Sequence, residues 1–399
     1  MPWKEVFPME ERIRFAVQAA KGTEVFSVLC KEFGISRRVG YKWLRRYEAL
    51  GVAGTRELSR RPRGSPQRTA QTVEDWIVKV RRRRPRYGPK KILDLLAQEH
   101  PSSDLPAVST IAKILARRGL AKGRSRRRRG QIVRLEPASL TVPNAANEVW
   151  PVDYKGWFKT GDGCRCDPLT ITDLYSRFVL CVRAVPAPTQ GITRRVFQRV
   201  FRRYGLPEAI RVDNGPPFAS SGLAGLSKLS VWWTSLGIRV EFIRPASPHL
   251  NGSHERMHRT LKADTTQPPS LNRNAQQRRF DRWRHEFNHE RPHEAIAMRR
   301  PADLYTASTR RYRGSDKTIR YPEDYLVKRV SHSGFICYCG ERYFLGKAFA
   351  GTVVGLHRNC SREMQVYFAN KLIGHLATQI QGRFRPTASI APASQPRSA

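Results

Sequence analysis

Apolar positions recur at helical spacing over the first 120 residues and at strand spacing after about residue 149. Ile13, Ala16, Val17 and Ala20 share one face and predict a helix over 9–20. A short helix follows over 24–33. Gly34-Ile35-Ser36 then reads as a turn ending in an N-cap, because a serine oxygen can accept from a free first-turn N–H. A third helix over 37–50 carries Val39, Tyr41, Trp43, Leu44 and Tyr47. Helix, glycine turn and basic helix together predict a helix-turn-helix. After a breaker-rich stretch over 51–70, a second helical unit begins with Val73 to Val80. Pro89 suits the first position of its next helix, where the missing N–H costs nothing. Ile92, Leu95 and Leu96 form that helix's apolar face. Ser109-Thr110 opens a further helix through Ile111, Ile114 and Leu115, which completes a winged or simple helix-turn-helix.

Strand periodicity takes over at Val149 to Gly156, where alternation sets Val152 and Tyr154 on one face and Asp153 and Lys155 on the other. Leu169 to Thr172 and Phe178 to Val185 continue an antiparallel meander, with a turn at Gly161-Asp162-Gly163. A helix over 192–204, a strand over 209–212, a helix over 226–236 and a strand over 240–243 follow. Beyond Pro245 and Pro248 comes a polar, basic helix containing Glu255, then a long basic helical region over 272–292. From about 320 the pattern changes to short strands at 325–330, 334–338, 342–344, 352–357 and 364–368. Glycines punctuate them, which suits a small SH3-like barrel. Residues 381–399, rich in Pro, Ser and Ala, read as a disordered tail.

Charge narrows the choice of partner. The chain has 399 residues, long enough for roughly two to four domains. Its 73 Lys and Arg oppose 33 Asp and Glu, a net charge of +40 that calls for a polyanion. With no export signal and no apolar stretch of membrane length, the expected partner is double-stranded DNA, not a membrane, in a cytoplasmic, nucleoid-associated setting. Seven cysteines, an odd number, suit a reducing compartment. Cys164-Arg165-Cys166 and Cys337-Tyr338-Cys339 are spaced too closely for a zinc knuckle and read as strand-packing side chains. Arg37, Arg38, Lys42, Arg45 and Arg46 line the polar face of the third helix and can reach phosphates and base edges. Arg60, Arg61 and Arg63 of the linker can follow a groove. The runs Arg81 to Arg84 and Arg126, Arg127, Arg128, Arg129 repel themselves unless phosphates screen them, and so are read as DNA contacts.

Against this basic background three acids stand out. Asp153 interrupts the first strand, Asp213 ends the fourth, and Glu255 opens a helix behind Asn251-Gly252-Ser253. Parallel pairing of those two strands would bring both aspartates to one place, with the helix start delivering Glu255. Such a trio suits two divalent cations at a scissile phosphate, Mg²⁺ first and Mn²⁺ as a possible substitute. Arg259 and Lys262 follow Glu255 at helical spacing and would face DNA beside the metals. Asn214 shapes the site. His258 is either a phosphate contact or, like His254, a packing or capping group. Asp173 is read as structural, and Trp150, Trp232 and Trp233 as packing residues.

The strings Val152-Asp153-Tyr154-Lys155-Gly156, Leu169-Thr170-Ile171-Thr172-Asp173, Val212-Asp213-Asn214-Gly215-Pro216-Pro217-Phe218 and Asn251-Gly252-Ser253-His254-Glu255-Arg256-Met257-His258-Arg259-Thr260-Leu261-Lys262, in this order, resemble bacterial insertion-sequence transposases of the DDE superfamily. Phe287-Asn288-His289-Glu290-Arg291-Pro292-His293 resembles the end of that family's post-catalytic helix. The resemblance spans about 9–380 and implies a ribonuclease-H-like, retroviral-integrase-like α/β core with Asp153, Asp213 and Glu255 as its acidic triad. The implied layout is a helix-turn-helix domain over 9–50, a basic linker over 51–70, a second helical DNA-binding domain over 71–120 and a basic connector over 121–146. The core with its following helices spans 147–310, the SH3-like barrel 320–380 and the tail 381–399. The implied activity is metal-dependent cleavage at element ends and 3′-hydroxyl strand transfer into target DNA. Terminal inverted repeats would be bound by the helical domains, in a homodimer or larger synaptic oligomer. The interval from Asp213 to Glu255 is longer than the family's usual one, and Gly222–Ser227 is expected to absorb the excess as a loop. The alternatives are a ribonuclease-H-like nuclease without joining and a non-catalytic repressor derived from a transposase; the intact triad argues against the repressor.

Overall fold

The computed structural model describes residues 8–58, 68–121, 140–243, 252–314, 319–358, 363–376 and 384–386. The chain divides into two units, Met1–Ala70 and Gln71–Ala399.

In the first unit, α1 (Pro8–Lys21), α2 (Phe26–Glu32) and α3 (Arg37–Leu50) close around Phe15, Leu29, Cys30 and Trp43. Ser36 caps α3, its Oγ accepting from the Val39 N–H at 3.3 Å. Gly40 lets the helices cross closely, since a Cβ there would stand 2.7 Å from Cys30 Sγ. The buried stripe of α3 runs through Gly40 and Trp43. Val39 and Tyr41 therefore fall to its flanks and are exposed; Tyr41 stacks on Phe26 at 4.2 Å.

The second unit opens with α4 (Gln71–Arg83), α5 (Pro89–Glu99) and α6 (Val108–Arg117), with Pro89 starting its helix. Ile77, Ile92, Leu96, Ile111 and Leu115 form their core. The arginine run at 81–84 departs from its expected role on DNA. Arg81 is buried and donates to the carbonyls of Tyr87 (2.6 Å) and Leu120 (2.8 Å). Arg83 pairs with Glu99 at 3.0 Å, and Arg84 pairs with both Glu286 and Glu290. Arg82 stays exposed. Charge density alone could not reveal these acceptors, because the Arg84 partners lie some two hundred positions away in the chain.

The central sheet comprises β1 (Val149–Tyr154), β2 (Phe158–Lys159), β3 (Arg165–Thr172), β4 (Val179–Val185), β5 (Ala209–Val212) and β6 (Arg239–Phe242). It runs β2-β3-β1-β5-β6, with β4 on β3. β1 is antiparallel to β3 and parallel to β5, and β5 is parallel to β6. Helices cover both faces, which is why its parallel strands read as near-continuous apolar runs. On one face α7 (Gln190–Tyr204) and α8 (Lys228–Ser235) bring Phe197, Phe201 and Trp233 against Trp150, Val152, Ile171 and Ile210. On the other, α9 (Gly252–Thr265) and α10 (Arg273–His289) bring Met257, Leu261, Phe280 and Trp283 against Cys166, Val179 and Val182.

The C-terminal region contains β7 (Leu326–Arg329), β8 (Phe335–Tyr338), β9 (Glu341–Phe344), β10 (Val353–Arg358), β11 (Met364–Phe368), β12 (Lys371–Leu376) and β13 (Phe384–Pro386). Five of them make an antiparallel sheet ordered β13-β12-β11-β10-β7, while β8 and β9 form a separate hairpin. Among the described residues the edge strands β7 and β13 do not pair, so the expected closed barrel is not seen. β13 falls in the span read as a disordered tail, yet it pairs with β12. Three residues are too few to display a period. Leu226 and Val231 join the apolar core of this region, and Leu223 and Ala224 pack against it. Gly222–Ser227, expected only to absorb extra length as a loop, thus contributes to a docking surface together with Val231 of α8. Among the described residues no helix is long and apolar enough to cross a membrane.

Candidate metal and DNA site

The β1–β5 ladder runs Val149 to Ala209, Trp150 to Ile210 and Pro151 to Arg211. Two residues further along stand Asp153, near the end of β1, and Asp213, just past β5, so parallel pairing carries both residues toward the C-terminal ends of two neighbouring strands. Asp153 lies opposite Thr170 of β3, on the face covered by α9. That helix is two-sided. His254, Met257, His258 and Leu261 are buried, whereas Glu255, Arg259 and Lys262 are exposed.

Burial raises the proton affinity of both aspartates, and neighbouring charge adds to the rise at Asp153. Burial pushes the Asp153 carboxyl up to about 7; the Asp213 carboxylate and, more weakly, Glu255 add to the rise, while Lys155 opposes it. Burial also raises Asp213, against a hydrogen bond from the Gly215 N–H at 3.3 Å. Carboxylates that resist ionisation beside one another in so basic a chain fit a hard divalent cation, which would relieve both burial and repulsion.

The supports of the site are internal. Asn214 Nδ2 donates to the Ile243 carbonyl at 2.8 Å, tying the Asp213 turn to the end of β6. Arg211 and Glu241, both buried, pair at 2.8 Å between β5 and β6. Behind Asp153 runs a chain of hydrogen bonds. The Thr170 hydroxyl contacts His258 Nε2 (2.6 Å) and His254 Nε2 (2.8 Å), and His254 Nδ1 contacts the Thr172 hydroxyl (3.0 Å). His258 Nδ1 stands 3.5 Å from Asp153 Oδ2.

His258 is 2% exposed, and burial, then His254 and Lys155, drive its pKa far down, so the ring is neutral. The phosphate-contact reading of His258 is therefore corrected: the ring faces the sheet and braces Asp153. The i, i+4 spacing of His254 and His258 along the same stripe as Leu261 was the available signal. Asp173 is structural, accepting from the backbone N–H groups of Asn147 (2.7 Å) and Ser176 (2.8 Å).

The other predicted contacts divide. Arg37, Arg38, Lys42 and Arg45 are exposed on α3. Arg46 is half-buried, with its guanidinium 5.2 Å from the Trp43 ring centre. Arg60, Arg61, Arg63 and Arg126, Arg127, Arg128, Arg129 lie outside the described residues. Cys166 is buried whereas Cys164, Cys337 and Cys339 are exposed, and neither cysteine pair joins a metal-ligand cluster among the described residues. The sequence reading also missed Lys91, Arg177 and Arg291, which line a cleft beside α9.

Residues 143–248 and 236–301 each match an integrase core domain family; 39–115 match a homeodomain-like domain and 11–63 a helix-turn-helix domain. The chain is 25% identical over 240 residues to the insertion element IS407 uncharacterized 31.7 kDa protein of Burkholderia multivorans, covering 60% of this chain and 82% of that one. It is 23% identical over 275 residues to the insertion element IS476 uncharacterized 39.2 kDa protein of Xanthomonas euvesicatoria, covering 69% and 76%. Among solved structures, the HTLV-2 integrase catalytic core domain in complex with magnesium aligns at 18% identity and a TM-score of 0.33, over 41% of this chain and 99% of that one. An integrase core combined with helix-turn-helix segments defines a polynucleotidyl transferase that works on DNA. The chain belongs to the insertion-sequence transposases of the DDE superfamily, those with an integrase-type core.

Proposed function

We propose that this transposase cleaves DNA at the ends of its insertion element and joins the exposed 3′ hydroxyl to target DNA, using Asp153, Asp213 and Glu255 to hold two divalent cations, Mg²⁺ by preference with Mn²⁺ tolerated. The observation that carries this reading is the parallel β1–β5 register, which leads to Asp153 and Asp213 at the C-terminal ends of neighbouring strands, with Glu255 near enough to raise the proton affinity of Asp153. Bound cations would offset the negative charge that builds on the phosphate and favour ionisation of the attacking oxygen.

The chain's own residues supply position. Strand backbones fix the two aspartates. His258, held through Thr170, limits the freedom of the Asp153 carboxyl, and Asn214 anchors the Asp213 turn. The exposed face of α9 presents Glu255 together with Arg259 and Lys262, so the acid that completes the trio arrives beside cations that can hold a DNA backbone. Water and then the 3′ hydroxyl would attack in line at phosphorus, so one site serves both steps without a covalent protein–DNA intermediate. The exposed cations of α3 would read the terminal inverted repeats, with the basic linker and connector following the backbone. The C-terminal β-sheet region would contact DNA or assist assembly. Two DNA ends must meet, which calls for a homodimer or larger synaptic assembly.

The experiment is incubation of the full chain with duplexes carrying the gene's native flanking repeats and Mg²⁺. Cleaved and joined products are expected from the wild type, and neither from Asp153→Asn, Asp213→Asn or Glu255→Gln. Cut ends without joined DNA would identify a nuclease; end binding without either product would identify a repressor.

A further inference from the structure

A cleft of about 370 Å³ opens beside the first turns of α9. Lys91 of α5, Arg177 of the β3–β4 turn, Arg256 and Arg259 of α9, and Arg291 after α10 bring five cations to its walls. The carboxylates nearby balance them only in part, with Asp264 standing 3.9 Å from Arg291. Asp173 is engaged by Asn147 and Ser176, and Glu294 faces Lys90 at 3.8 Å. Among the described residues no carboxylate lies within ion-pair distance of Arg177, Arg256 or Arg259, and the Nε atoms of Arg177 and Arg291 are buried without a hydrogen-bond partner. The cations oppose one another. Burial and then Arg291 lower the Lys91 ammonium to about 8, and burial and then Arg256 lower Arg177. A protein that gathers guanidinium groups at such a cost, three of them without a carboxylate partner, has a site prepared for an anion.

We propose that this cleft seats one backbone phosphate of the DNA strand adjoining the cleavage position, and that the seated phosphate ties the second helical unit to the catalytic core. Lys91 comes from that unit, the four arginines come from the core, and Arg256 and Arg259 flank Glu255 on its own helix. A phosphodiester held here would touch the same helix that carries Glu255. It would fix the register of the strand without reading its sequence. The inference rests on the transposase reading given above.

The test uses full-length wild type, Lys91→Met and Arg259→Gln. Lys91→Met removes the ammonium that stands 5.7 Å from the Tyr87 ring centre while keeping an unbranched side chain, and Arg259 is exposed, so at least one variant folds as the wild type does. Binding to the native-end duplex is followed across salt concentration, with single methylphosphonate linkages scanned around the cleaved position. Each variant is expected to lower the slope of log Kobs against log salt by about 1. One linkage should weaken the wild type when neutralised and have no further effect on either variant. Unchanged slopes, or a methylphosphonate penalty that persists in both variants, overturn the proposal while wild-type cleavage leaves the transposase reading intact. Wild-type protein that neither binds nor cleaves native ends removes both. Thermal stabilisation by inorganic phosphate that Lys91→Met lacks, with unchanged DNA slopes, assigns the cleft to a free anion and overturns the DNA assignment.

Discussion

Asp153→Asn should make the metal-free protein more stable while abolishing its chemistry. The Asp153 carboxyl is pushed from an ordinary 3.8 up to about 7 by burial and then by Asp213, so the folded chain holds its proton more tightly than the unfolded chain does. The folded state therefore carries the extra proton between these values. Stability falls as pH rises through that window, and the full penalty persists above it. At roughly 1.4 kcal/mol per pH unit the gap corresponds to about 4 kcal/mol. The side chain is 31% exposed, and solvent screening reduces the expected effect to about 2–3 kcal/mol.

Asparagine keeps the shape and cannot ionise. In a chelator, the variant should gain that amount at about pH 8 and less than half of it at about pH 5. Thermal and urea unfolding read the difference, which amounts to several degrees in melting temperature for a unit of this size. Added Mg²⁺ should raise the wild-type melting temperature and leave the variant nearly unmoved. A variant no more stable than wild type at the higher pH, or one that gains equally at both, would refute the argument that these acids meet in a poorly solvated site.

Two further outcomes follow from the supports of the site. Arg211→Met leaves Glu241 buried without its bidentate partner and should cost about 3–5 kcal/mol in urea unfolding, with much of the loss recovered by Arg211→Met/Glu241→Leu; a loss below about 1 kcal/mol would contradict the pairing. His258→Leu should raise the Mg²⁺ concentration for half-maximal cleavage by about 10- to 100-fold, with His258→Gln retaining more function. An unchanged Mg²⁺ requirement would show that His258 only fills space.

Local rules accounted for much of the structure. The serine at 36 caps its helix and Pro89 starts one, because both depend on groups within a few residues. The order of strands and helices in the core was legible because each element displays its own period. Asp153 and Asp213 stood out as carboxylates at the ends of apolar runs, and pairing of those runs in parallel was enough to suggest their meeting. The strands β12 and β13 were not legible. Gly374 and His375 interrupt the apolar run of the first, and the second is too short to show a pattern.

The sequence by itself determined the basic character of the chain, its helical and strand segments and the identity of the acids. Tertiary structure decided which partner each polar group meets. The arginines at 81–84 look alike in sequence; Arg84, just past α4, meets Glu286 and Glu290 at the end of α10, while Arg81 fills backbone acceptors. His258 and Arg259 are neighbours on one helix, yet contact with β3 buried the first and left the second exposed. A helix repeats by turn and so presents every face equally in its sequence. Only the surface it packs against selects which side chains lose water, and that loss sets their charge, their pKa and their use.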